Sequence, residues 1–217
     1  MYKIKMLLIF ISLVLIFGNA NAYTNEFPLI GKVIYLDAGH GGKDPGAYYK
    51  DIYEEDINLS ITQKLKYELE KLGAVVYMTR EDDYDLSSPN AYLRKKSDLS
   101  NRANMINLSN ADIYLSIHLN SSTNENWKGA QVFYDDVNKQ NKEIAEIIQK
   151  QFNKKLNSKR NVKEISELYM YKNVNIPGVL LELGFISNTY ERGLLITDNY
   201  QNKVVDVICS SILDIFN

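Results

Sequence analysis

The chain of 217 residues has the length of one domain or of two small ones. Charged residues make up 24% and hydrophobic residues 45%, which is the balance of an ordinary globular protein and excludes disordered and fibrous classes. The formal net charge is -2 and no block of lysine and arginine stands out. Because a nucleic-acid-binding protein usually carries a basic footprint, we expect no nucleic-acid partner.

The N-terminal segment, residues 1–22, has the pattern of an export signal. Lys3 and Lys5 precede an uncharged apolar run over residues 6–18, and the Ala-Asn-Ala triplet at 20–22 is a small-x-small cleavage site. The run is shorter than the roughly 20 residues that span a bilayer, which favours a signal peptide over its alternative, an uncleaved anchor. We therefore predict that the chain is exported across the cytoplasmic membrane.

The chain after this segment, residues 23–217, is predicted to be one domain, since no linker-like stretch or internal repeat interrupts it. From residue 30 onward, short apolar runs alternate with segments of helical periodicity, which predicts an α/β fold with a mostly parallel twisted sheet flanked by helices. Predicted strands cover 33–36, 74–79, 112–118, 130–134, 168–171 and 179–183, and predicted helices cover 57–72, 99–108, 144–156 and 204–215.

The single cysteine, Cys209, permits no intrachain disulfide. It lies near the apolar stripe of the last predicted helix, so we expect it to pack as a small buried hydrophobic residue. An exported chain without a disulfide is typical of the bacterial cell envelope, because small secreted domains elsewhere depend on disulfides.

Three predicted strands carry polar groups that a core does not need. His40 follows the first strand, His118 ends another, and Glu182 lies within an apolar run. Functional groups collect at the carboxyl ends of strands in open α/β sheets, so these side chains are expected to converge. A carboxylate at Glu182 is costly to bury without a partner, although a structural ion pair or an outward-facing edge position is an equally good interpretation.

Histidine together with a carboxylate suits Zn²⁺, which in catalytic sites takes three protein ligands and keeps one position open. His40 and His118 are the only histidines, and a third ligand is sought among Glu54, Glu55 and Asp56. These three acidic residues come just before the helix predicted to begin near Ile57. Their alternative role is to stabilise the helix N-terminus through its macrodipole.

Four motifs occur in a fixed order: LDAGHGG at 36–42, EEDINL at 54–59, SIHLN at 116–120 and LELGFISN at 181–188. Together they resemble the zinc-dependent N-acetylmuramoyl-L-alanine amidases of bacterial cell walls, over roughly residues 32–216. The resemblance implies hydrolysis of the amide between the lactyl group of N-acetylmuramic acid and L-alanine in peptidoglycan. It implies Zn²⁺ bound by His40, Glu54 and His118, with Glu182 as the catalytic residue.

Three further residues, Asn120, Arg102 and Asn188, are predicted to contact substrate or to support the residues that do. For each of them a structural role in a turn or a helix cap is the alternative.

Two more segments, residues 94–99 leading into Arg102 and residues 126–134, resemble the amidases that prepare spore cortex in sporulating bacteria. This implies action in the forespore cortex space, formation of muramic-δ-lactam needed for germination, and a possible partner lipoprotein. The alternatives are a general vegetative cell-wall amidase, another zinc hydrolase of the same polymer, and a non-catalytic wall-binding protein with the same fold.

Overall fold

The computed structural model describes residues 26–217, so the predicted signal peptide lies outside the described residues. The strands are β1 Val33–Ala38, β2 Tyr48–Tyr49, β3 Ile52–Tyr53, β4 Val75–Met78, β5 Ile113–Asn120, β6 Gln131–Tyr134, β7 Lys163–Glu164 and β8 Gly178–Phe185. The helices are α1 Glu54–Lys71, α2 Arg94–Leu108, α3 Asn141–Lys155, α4 Tyr169–Lys172, α5 Thr189–Leu195 and α6 Asp198–Phe216.

Six strands form one sheet in the order β4-β1-β5-β8-β6-β7. The first four of these pair in parallel, β6 runs antiparallel to β8, and β7 is parallel to β6. The prediction of a mostly parallel α/β sheet is therefore confirmed. The parallel strands place their carboxyl ends at one edge, which we call the carboxyl edge. Because β6 is reversed, its first residue, Gln131, lies opposite Glu182 of β8 at that edge.

Both faces of the sheet are covered, which explains why the central strands are almost continuously apolar. Helices α1, α3 and α6 pack on one face through a single large hydrophobic cluster that includes Ile61, Phe152 and Ile208. The other face is covered by α2 and α4, where Tyr35 and Tyr114 lie in a second cluster. Since side chains alternate between the faces of a strand, each central strand contributes to both clusters.

The strand predicted over residues 168–171 is wrong. This segment contains the short helix α4, in which Met170 and Tyr171 are both buried in the second cluster, whereas Leu168 and Tyr169 are exposed. A strand would send the adjacent side chains of Met170 and Tyr171 to opposite faces, but a helical turn buries both on one side.

Helix α1 begins at Glu54 rather than near Ile57, so the three acidic residues form its first turn. Cys209 is 8% exposed within α6, and its predicted burial is confirmed. Within residues 26–217, every helix is too short or too polar to span a membrane.

Candidate metal centre

The two histidines and two of the candidate carboxylates meet at the carboxyl edge. His40 lies in the turn that follows β1, and His118 lies near the end of β5. Glu182 of β8 is the register partner of His118. Glu54 is the first residue of α1, which packs against β1 and β5. Adjacent parallel strands and one helix N-terminus therefore supply all four groups.

Glu54 lies between the two histidines and contacts both of them. Its Oε1 atom lies 3.2 Å from His40 Nε2 and 3.1 Å from His118 Nδ1. One ligand atom each from His40, Glu54 and His118 can be chosen so that all three lie within 4.8 Å of one another. The structure thus brings the three predicted metal ligands together, and of the acidic residues 54–56 it is Glu54 that lies in this group.

The Glu54 carboxylate is held by several donors. Oε1 accepts hydrogen bonds from the backbone N–H of Leu119 at 3.0 Å and from the Asn58 amide at 3.3 Å, and Oε2 accepts from the backbone N–H of Ala47 at 2.8 Å. Burial alone would raise the pKa of Glu54, but His118 and His40 outweigh it and hold the pKa well below its usual range. Glu54 is therefore ionised and oriented.

His40 lies between two carboxylates. Burial lowers its pKa, but Asp44 and Glu54 outweigh this effect and raise the pKa to about 9. The centre brings two ring nitrogens and a carboxylate oxygen within 4.8 Å of one another. This nitrogen and oxygen donor set matches that of catalytic zinc sites, so the residues present fit a divalent zinc ion.

Glu182 lies beside this cluster but outside it. Its Oε2 atom is inaccessible to solvent and has no hydrogen-bond partner among the described residues. Burial, together with the negative charge of Glu54, raises the pKa of Glu182 to about 8 against the opposing effect of His40. Such a carboxyl group is a candidate proton carrier, because its pKa lies close to neutral pH.

Two glycines allow the four groups to approach one another. A Cβ atom at Gly39 would lie 2.3 Å from the Cε1 and Nε2 atoms of His118. A Cβ atom at Gly46, where φ is +69°, would lie 2.6 Å from Oε2 of Glu54. The glycine-rich segment after β1 is thus required by close packing around the centre.

Arg102 is buried and holds the turn that carries His40. Its guanidinium group donates to Asp37 Oδ1 at 2.8 Å, to Asp98 Oδ2 at 2.9 Å, and to the backbone carbonyls of Ala38 and His40 at 2.8 and 2.6 Å. These contacts give Arg102 a structural role. Its predicted contact with substrate stays a prediction, and it lies beside the cleft described below.

The two predicted asparagines also make structural contacts. Asn188 caps α5, since its side chain accepts from the Glu191 N–H at 3.0 Å and donates to the Glu125 carbonyl at 2.7 Å. The backbone carbonyl of Asn120 accepts from the Ile186 N–H at 2.9 Å. Their predicted substrate contacts are likewise still predictions.

Sequence reasoning missed Arg80, which is 1% exposed. Its guanidinium donates to the carbonyls of Ala38, Gly39 and Glu55 at 3.0, 3.1 and 2.8 Å, so it ties the His40 turn to the start of α1. The available signal was a charged residue directly after the predicted strand 74–79.

The centre opens into a cleft of about 200 Å³. Its walls come from the His40 turn, α2, α4 and the ends of β5 and β8. They include His118, Glu182, Lys95, Leu168 and Tyr169. The cleft thus joins His40, His118 and Glu182 to solvent, while Glu54 lies behind them.

Comparison with known proteins places the chain in a family. The model of the N-acetylmuramoyl-L-alanine amidase family matches residues 34–214. The chain therefore belongs to the N-acetylmuramoyl-L-alanine amidase family, as the four motifs predicted, and its reaction class is amide hydrolysis in peptidoglycan.

Individual relatives agree with this assignment. The chain is 42% identical over 195 residues to the germination-specific N-acetylmuramoyl-L-alanine amidase of Bacillus subtilis (strain 168), covering 88% of this chain and 82% of that protein. Among solved structures, it resembles the CwlD amidase of Clostridioides difficile in complex with the GerS lipoprotein, with a TM-score of 0.80, 41% identity, and coverage of 85% of this chain and 98% of that one. The catalytic domain of CwlV from Bacillus (Paenibacillus) polymyxa var. colistinus matches with a TM-score of 0.74 and 28% identity, covering 85% and 97%.

Proposed function

We propose that the chain is a zinc-dependent N-acetylmuramoyl-L-alanine amidase in which His40, Glu54 and His118 hold Zn²⁺ and Glu182 is the catalytic residue. The observation that carries this proposal is the approach of both histidines to one carboxylate oxygen, at 3.2 and 3.1 Å, beside an unpartnered buried carboxyl oxygen of Glu182.

When bound, zinc supplies Lewis-acid chemistry, polarising a carbonyl oxygen and lowering the pKa of water. Glu182 accepts a proton from the water that attacks the amide carbonyl carbon, and it delivers that proton to the alanine nitrogen as the C–N bond breaks. The products are the free lactyl carboxyl group and the amine of the stem peptide. A positive charge among the three ligands would lower the pKa of Glu182 from about 8, which favours the proton-accepting form at neutral pH.

The direct test is mass spectrometry of peptidoglycan digested by the zinc-loaded protein. Release of intact stem peptides is expected, whereas shortened cross-bridges would indicate an endopeptidase, and unchanged polymer would indicate a wall-binding protein. Elemental analysis should give one zinc per chain, and His118→Ala should lose it. Undiminished zinc in that variant would contradict the ligand assignment.

We further propose that the protein is exported to the forespore cortex space and removes stem peptides from cortex peptidoglycan, which prepares muramic-δ-lactam for germination. The supporting observation is the 42% identity to a germination-specific amidase. A partner lipoprotein is proposed because the similar CwlD amidase was solved in complex with one. Cortex muropeptide analysis of a deletion strain tests the role, and a normal lactam content would contradict it while leaving the amidase activity intact.

A further inference from the structure

The nitrogen of His40 that faces away from the centre has its own carboxylate partner. Asp44 Oδ2 lies 3.1 Å from His40 Nδ1, while His40 Nε2 faces Glu54. His118 differs, because Glu54 is its sole carboxylate partner among the residues that the structure describes. The two histidines are thus oriented by different means.

Asp44 is itself held in place. The backbone N–H and carbonyl of Asp44 exchange hydrogen bonds with those of Gly41, at 3.2 and 2.9 Å. The side chain accepts from the Gly46 N–H at 3.4 Å through Oδ1 and pairs with Lys95 Nζ at 3.3 Å through Oδ2. The carboxylate therefore lies on the far side of the His40 ring in a closed turn.

The backbone of His40 is also fixed, in an uncommon conformation. Its φ is +63°, a region that residues with a side chain rarely adopt, and its carbonyl accepts a 2.6 Å hydrogen bond from Arg102. With the backbone held, the remaining freedom of His40 is the rotation of its ring and the choice of the nitrogen that carries the proton.

A carboxylate that is hydrogen-bonded to one ring nitrogen restricts both the rotation of the ring and the choice of the nitrogen that carries the proton. It accepts the Nδ1 proton, which leaves the lone pair on Nε2, and it fixes the plane of the ring. We propose that Asp44 is a positioning residue that holds His40 in the Nδ1-protonated tautomer with Nε2 directed at the metal centre. This inference rests on the proposed zinc site, and it assigns the Asp44 carboxylate a function in metal affinity rather than in catalysis.

The test compares zinc affinity of the full chain and of Asp44→Ala and Asp44→Asn by competition with a chelator. Loss of such an outer carboxylate weakens metal binding about 10- to 100-fold, which is expected for Asp44→Ala. Asp44→Asn keeps an oxygen that can accept the Nδ1 proton, so a smaller loss is expected. Asp51→Asn is the matched control, because Asp51 is exposed in the β2–β3 turn and its change removes one nearby charge without a contact to His40.

Nitrogen-15 NMR of the imidazoles gives a readout that a purely structural role would not change. The zinc-bound wild type should show His40 protonated at Nδ1. At subsaturating zinc, Asp44→Ala should lose that NMR signature. In excess zinc, the kcat of Asp44→Ala should recover. Equal zinc affinity in wild type and Asp44→Ala would overturn the role of Asp44 alone. A wild-type chain that binds no zinc would overturn the metal centre and this role with it. If Asp44→Ala does not fold, Asp44→Leu decides, because it also removes the acceptor while keeping most of the side-chain volume. An affinity of Asp44→Leu equal to that of Asp51→Asn would overturn the inference.

Discussion

His118 and Glu182 lie directly opposite each other on the neighbouring parallel strands β5 and β8. Their backbones are joined by the ladder of the sheet, so their spacing depends on strand register and not on a mobile loop. A residue proposed to bind metal and a residue proposed to carry the proton are therefore held on one rigid element. This arrangement leads to the first prediction.

Replacing Glu182 by glutamine should slow turnover strongly but leave zinc bound. Glutamine keeps the shape of the side chain and cannot accept the proton from water, so kcat is expected to fall by about 10²- to 10⁴-fold. The measurements are release of stem peptides and zinc content of the same preparation.

Glu143→Gln is the matched control for this change. Glu143 is exposed on α3. It lines a different pocket, together with Asp112 and Pro177, at the edge of the sheet opposite the carboxyl edge. Glu143→Gln should therefore keep full activity. Retained turnover in Glu182→Gln, or loss of zinc from it, would remove Glu182 from the proposed role.

Adding one methyl group at Gly39 should weaken zinc binding. The new Cβ would lie 2.3 Å from the ring of His118, so the ring or the turn must move. Chelator competition should show at least a tenfold loss of affinity in Gly39→Ala. In Gly193→Ala, a Cβ meets no atom within 4 Å in helix α5, and we expect unchanged affinity with about 0.5–1 kcal/mol of added stability. Equal zinc affinity in both variants would contradict the packing argument.

Removal of the Arg102 side chain should destabilise the fold. It would leave Asp37 buried without its ion pair, and breaking a buried pair costs about 3–5 kcal/mol. Denaturant unfolding measures this change. Lys66→Ala is the control, because its pair with the exposed Glu81 lies at the surface and contributes less than about 1 kcal/mol. A fall in kcat/KM for Arg102→Ala without loss of stability would instead favour the predicted contact with substrate.

The ionisation of Asp37 should make the free energy of unfolding depend on pH. Burial would raise its pKa, but Arg102, His118 and the Ser116 hydroxyl together outweigh this effect, and the net pKa lies below the ordinary 3.8. The native state then binds fewer protons than the unfolded state, so this stabilisation is full above about pH 4 and is lost as pH falls through the native pKa. Asp37→Asn should cost about 3–5 kcal/mol at neutral pH.

The difference between wild type and Asp37→Asn should therefore shrink as the pH falls from about 5 to about 2. Unfolding free energies over that range give the measurement, and Asp136→Asn, which changes an exposed carboxylate, should show no comparable trend. A constant difference across this range would contradict the sign derived for Asp37.

Much of the fold and the centre could be predicted because their signals are local. Apolar runs marked five of the six sheet strands, and the motifs around His40, Glu54, His118 and Glu182 contain four side chains that the structure brings together at the carboxyl edge. The family and the α/β sheet were confirmed by the comparisons and by the topology.

The features that were missed depend on partners distant in sequence. From its residue type alone, Arg80 would be expected at the surface, but in the fold its guanidinium is buried and donates to the carbonyls of Ala38 and Glu55. Segment α4 is helical because Met170 and Tyr171 share one apolar face. The hairpin of β2 and β3, in which Tyr48 pairs with Tyr53, is too short for a periodicity to reveal it. No local pattern contains these contacts.

The lengths of the strands have a consequence for the behaviour of the protein in concentrated solution. The eight-residue strands β5 and β8 lie inside the sheet, whereas the edge strands β4 and β7 have four and two residues. An exposed edge strand can pair with strands of other molecules through its unpaired backbone N–H and C=O groups. A short edge strand has few such groups. The molecule thus keeps its long, strongly apolar strands away from the positions where intermolecular β-sheet growth and aggregation begin.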